Sequence, residues 1–64
     1  MGNKIKKYLK ENGLKQNHIA RRSGIEINRF CSLMNGKAVM TLTEYNDICQ
    51  ALSVSLDYFV NEKG

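Results

Sequence analysis

Apolar residues along this chain recur at intervals of three and four rather than alternating, a pattern that predicts amphipathic helices from end to end. Ile5, Tyr8 and Leu9 form the first inward stripe, on a helix expected from Lys4 to about Asn12, capped by Asn3 and ended by Gly13, with Leu14 anchoring the turn that follows. A second helix is expected to begin at Gln16, with Ile19 and Ala20 facing inward; a residue as small as alanine lets another helix cross closely. Gly24 takes the next turn, where a positive φ carries no Cβ penalty, and Ile25 tucks beneath it. On the third helix Phe30, Leu33 and Met34 follow the i, i+3, i+4 rule toward the core, which leaves Ile27, Asn28, Cys31 and Ser32 on the opposite side.

The second half of the chain repeats the pattern. Thr41-Leu42-Thr43-Glu44 reads as a capping box, and Leu42, Tyr45, Ile48, Cys49 and Leu52 make the inner stripe of a fourth helix. Ser53-Val54-Ser55 turns the chain, Ser55 caps a short fifth helix, Leu56, Phe59 and Val60 close the core, and residues 61–64 form a frayed end. A chain of this length buries only roughly 60% of the surface its unfolded form exposes, so it must be compact. With 64 residues and no proline, the expectation is one all-α domain over residues 1–64, a compact five-helix arrangement in which helices two and three form a helix-turn-helix.

Charge sharpens this picture. Residues 1–37 carry nine Lys or Arg against Glu11 and Glu26, while residues 38–64 carry Lys63 against four acids, giving +7 beside −3. A polyanion is drawn to the half that holds the two central helices, although a solvated lysine-rich face would give the same count. No apolar run approaches the ~18 residues needed to span a bilayer, and there is no secretory layout at the N-terminus, so a cytoplasmic protein is expected. Two cysteines allow at most one bridge, which a reducing cytoplasm disfavours. Cys49 reads as a small core residue. Cys31 lies beside the outward face of the third helix, where a thiol could contact a base, lie idle or act as a redox switch without a neighbouring resolving cysteine. His18, Cys31 and Cys49 have no metal-ligand spacing, and neither a glycine-rich phosphate loop nor a nucleophile elbow is present, so a non-catalytic protein without a cofactor is expected, with His18 a surface residue.

Gln16, Ala20, Gly24, Ile25, Phe30, Leu33, Asn35 and Gly36 stand where the Cro/lambda-repressor (XRE) type of helix-turn-helix domain carries its characteristic residues. The chain resembles that family over nearly its whole length: residues 3–13 look like its first helix, and ALSVSLDYFV looks like a tail commonly written A-L-G-V-S-L-D-x-L-L. There are departures. Lys15 stands where the family has a Ser or Thr cap, and Glu26 where it often has one at the third helix. Leu9 and Met34 occupy the places of an Arg-Glu pair found in several phage repressors; both have become apolar together, which keeps the helices docked without stranding a charge.

The resemblance implies a sequence-specific regulator of transcription, most often a repressor of a phage, mobile element or bacterial operon, whose partner is double-stranded DNA. Its base-reading places fall on Ile27, Asn28 and Ser32, with Glu26 at the edge, either capping the helix or accepting from a cytosine amino group. Asn28 suits adenine, Ile27 a thymine methyl unless it packs internally, and Ser32 either kind of edge. Phosphate contacts are expected from Gln16 and Lys15 at the start of the second helix, from Arg29, to which a guanine edge is also open, and from Asn35 and Lys37 beyond the third. A homodimer on an inverted repeat is implied, paired through Val54, Leu56, Tyr58 and Val60 unless these complete the monomer core. The alternative is an antitoxin or other protein-interaction module in which DNA binding is secondary, signalled by an exposed apolar patch on the last helix.

Overall fold

Local sequence decides where each helix stops. The computed structural model describes residues 2–60, with helices α1 (Gly2–Glu11), α2 (Gln16–Ser23), α3 (Ile27–Met34) and α4 (Leu42–Leu52). Each ends on a residue in the left-handed region within two positions of its last turn: Gly13, Gly24, Gly36 and Ser53. The carbonyls left over at those ends are taken up by backbone amides five positions on, as in Leu14 N–H to Leu9 O (2.8 Å), Ile25 N–H to Ala20 O (3.0 Å) and Val54 N–H to Cys49 O (3.0 Å). At Gly24, φ is 75° and open space surrounds the missing Cβ, so glycine serves backbone conformation there rather than close packing.

The stripes expected from the sequence meet in one core. Ile5 and Leu9 of α1, Ile19 and Ala20 of α2, Phe30, Leu33 and Met34 of α3, and Tyr45, Ile48 and Cys49 of α4 are buried, with Phe59 from beyond α4 closing the end. Leu9 and Met34 are both almost fully buried in the one core, and α1 packs against α3. Tyr8 leans edge-on against Phe59 (5.7 Å between centroids) and Tyr58 (5.5 Å), and Tyr58 meets Phe59 at 5.0 Å. Lys4 Nζ donates to Phe59 O at 3.2 Å, and the Tyr45 hydroxyl donates to Leu56 O. Those bonds tie residues 55–60 to the helices.

Several expectations change. There are four helices rather than five among the described residues: Ser55 does not cap a helix but donates its hydroxyl to Asp57 Oδ1 at 2.6 Å, and residues 56–60 form turns. Without helical spacing only Phe59 points inward, leaving Leu56 and Val60 about half exposed instead of closing the core. Leu42, in the first turn of α4, is 80% exposed and borders an apolar cleft instead of joining the buried stripe. Leu14, expected as an anchor, is exposed although its backbone closes the turn. Asn3 lies inside α1, which already includes Gly2. The frayed end expected at 61–64 lies outside the described residues.

Candidate nucleic-acid interface

Two helices of eight residues each, α2 and α3, meet at Gly24 and present their N-terminal ends and one free face. The bend is pinned from inside. Ser23 is buried and its hydroxyl donates to Ala20 O at 3.0 Å, while Ile25 is half-buried against the core.

At the start of α2, Lys15 has the extended backbone of an N-cap (φ −90°, ψ 138°) but no side-chain cap bond, as its chemistry dictates. The first amides of α2 therefore lack a side-chain acceptor, in a shallow cleft of about 160 Å³ lined by Lys15, Asn17, His18 and Arg21. Such an end favours an anion through both its free N–H groups and the helix dipole. Gln16 is half-buried, and the Cys31 thiol donates to its Oε1 across 3.7 Å. Cys31 is thus a free, half-buried thiol joined to the Gln16 carboxamide by a long, weak hydrogen bond from α3 to α2.

At the start of α3 the Glu26 carboxylate accepts from the Arg29 amide at 3.1 Å and caps the helix, the first of the two roles expected of it. Ile27 is 39% exposed, Asn28 is exposed and Ser32 is half-buried, on the side of α3 away from Phe30, Leu33 and Met34. Beyond α3, Lys37 is exposed, and Asn35 Oδ1 accepts from Lys6 Nζ at 3.0 Å, linking the end of α3 to α1.

Arg29, expected to reach a phosphate, has its guanidinium engaged within the chain. Its Nε donates to Glu44 Oε2 at 2.9 Å and its Nη2 to Glu44 Oε1 and to Val39 O, each at 3.0 Å. Glu44 also completes the expected capping box: its Oε1 accepts from Thr41 N–H at 3.0 Å, and its own amide donates to Thr41 Oγ1 at 3.1 Å. The Arg29 guanidinium, followed by the Thr41 amide, lowers the Glu44 carboxyl to about 2. The sequence identified Glu44 only as a cap. A capping carboxylate keeps a second oxygen and spare lone pairs, but nothing in the sequence shows that a side chain fifteen positions earlier takes them up.

The four residues expected at a dimer interface are divided. Val54 packs against the core, Tyr58 is half exposed beside Tyr8, Leu56 is half exposed, and Val60 borders an apolar cleft of about 580 Å³ with Val39, Met40, Leu42 and Tyr45.

A family model of the Cro/C1-type HTH DNA-binding domain matches residues 4–57, which takes in nearly all of α1 and the whole of α2, α3 and α4. The chain belongs to the Cro/C1-type HTH DNA-binding family. Searches of curated proteins and of solved structures each give no match. Membership in the Cro/C1-type family makes DNA the partner and regulation of transcription the role. No helix among the described residues is long and apolar enough to cross a membrane.

Proposed function

We propose that this Cro/C1-type domain is a sequence-specific repressor that lays α3 in the major groove and binds an inverted-repeat operator as a homodimer. The observation that carries this reading is the exposure of Ile27 and Asn28 on the core-free side of α3, beside an α2 N-terminus with no side-chain cap, in the half of the chain that carries +7. Asn28 pairs bidentately with adenine N6 and N7, Ile27 packs on a thymine methyl, and Ser32 adds a less selective hydrogen bond. Glu26 caps α3 and so keeps its carboxylate occupied near the groove. Gln16 and Lys15 hold one phosphate at the start of α2, and Asn35 with Lys37 holds another past the end of α3. One small module makes few base contacts, so two copies about 34 Å apart supply the rest, joined through the C-terminal turns that include Val54, Leu56, Tyr58 and Val60.

A second reading is favoured by one observation. Val39 (87% exposed), Leu42 (80%) and Val60 (58%) surround the apolar cleft, which suits contact with another protein, as in an antitoxin.

Selection from a random duplex pool at two salt concentrations tests the proposal. An inverted repeat enriched at moderate salt, with half-sites one helical turn apart, is the expected result. Binding that disappears with salt and leaves no enriched sequence would reduce the basic half to plain electrostatic attraction.

A further inference from the structure

Arg29 is the one basic residue of α3, and its guanidinium faces the following loop and helix rather than the free face of α3. Three of its N–H groups are committed. Two form a fork onto the Glu44 carboxylate (2.9 and 3.0 Å), and one reaches Val39 O (3.0 Å) in the loop that leads away from Lys37. The backbone amide of Arg29 is held as well, by the Glu26 cap at 3.1 Å. Glu44 in turn grips Thr41 at both ends of the capping box. One continuous set of hydrogen bonds therefore runs from the first turn of α3 to the loop and to the first turn of α4. An Arg-carboxylate fork fixes direction as well as distance, a constraint that a single point charge does not impose.

We propose that Arg29 and Glu44 form a clasp that positions the loop after α3, so that Lys37 and the free face of α3 engage one DNA site together. The inference rests on the reading of α3 as the recognition helix. Arg29 is then a positioning residue and touches neither base nor phosphate. Glu44 contributes although it carries the charge that DNA repels.

That opposition in sign supplies the test. Operator and scrambled duplexes are titrated with the full chain and with Glu44→Gln, Arg29→Met, Arg29→Lys, the Arg29→Met/Glu44→Gln double variant and Thr41→Ala, well below each variant's melting temperature. If the clasp positions the site, Glu44→Gln weakens operator binding about fivefold or more despite removing a negative charge, and the double variant is no weaker than Arg29→Met. Arg29→Lys does not restore affinity, because lysine keeps the charge and loses the fork. Thr41→Ala, which loosens the α4 cap but leaves the fork, lowers stability and spares operator affinity. If Arg29 is a phosphate contact, Glu44→Gln frees it and tightens binding, and Arg29→Lys restores most of the affinity; either result overturns the clasp. Loss of affinity in Thr41→Ala equal to that in Glu44→Gln also overturns it, since any weakened cap would then suffice. Wild-type protein that does not distinguish the two duplexes sinks the recognition-helix reading itself, whereas wild-type discrimination with the phosphate-contact results sinks the clasp alone.

Discussion

Asn28 is exposed in the first turn of α3, and among the proposed base-reading residues it alone carries both a donor and an acceptor suited to a bidentate pair. Asn28→Ala is expected to reduce discrimination between operator and scrambled duplex by about 1–3 kcal/mol and to leave binding to scrambled duplex unchanged. Equal losses on both duplexes in a fluorescence-anisotropy titration would instead assign Asn28 to the backbone. Ser53 makes a second residue-scale case. It stands where the resembling family's tail has glycine, and at φ 60° it is the one left-handed non-glycine among the described residues. The left-handed region costs a residue with a Cβ roughly 1–2 kcal/mol, of which glycine's greater unfolded-state freedom returns part. Ser53→Gly is therefore expected to stabilise the fold by several tenths to about 1 kcal/mol in urea denaturation, with a lowered midpoint as the contrary result.

At the scale of the helix, the two N-terminal ends of the helix-turn-helix differ. Glu26 caps α3, whereas Lys15 leaves α2 without a side-chain acceptor although its backbone already has the capping geometry. Lys15→Ser is expected to raise stability by about 1 kcal/mol, or roughly 4–8 °C in Tm for a domain of this size, while weakening DNA binding through the lost charge. An unchanged Tm would mean that the α2 amides already have another acceptor. The Arg29–Glu44 fork gives the helix pair a pH signature. Glu44 titrates at about 2 instead of its ordinary 4.5, so its stabilising contribution is complete above about pH 4.5 and is lost as the pH falls toward 2. Because the Arg29 side chain is 40% exposed, solvent screens the pair and its contribution is modest. The difference in urea midpoint between wild type and Glu44→Gln should therefore narrow between pH 5 and pH 2.5. A difference independent of pH would show that the carboxylate's charge contributes nothing.

The whole molecule shows which features a linear pattern can carry. Periodicity located the four helices and their buried stripes, because burial of Phe30, Leu33 and Met34 or of Tyr45, Ile48 and Cys49 depends on spacing along one element. It failed at the edges. Leu42, Leu56 and Val60 are apolar at plausible positions, but their burial depends on how far another element covers them, and all three stay about half or more exposed. At the site, the exposed face of α3 and the uncapped start of α2 were legible, since each follows from local geometry and residue type. The contacts of Arg29 with Glu44 and Val39, of Lys6 with Asn35, and of Cys31 with Gln16 were not, because they join residues ten to twenty-nine positions apart through side-chain directions that sequence spacing does not fix.

The proposed function stands or falls on whether α3 and its two flanks meet DNA. Titrating the ¹⁵N-labelled full chain with the enriched duplex and mapping the amide shifts measures this directly. The largest shifts are expected at residues 15–17, 26–32 and 35–37, with α4 and residues 55–60 affected mainly through pairing of two copies. Shifts centred on Val39, Leu42 and Val60, with Ile27, Asn28 and Ser32 unmoved, would contradict it.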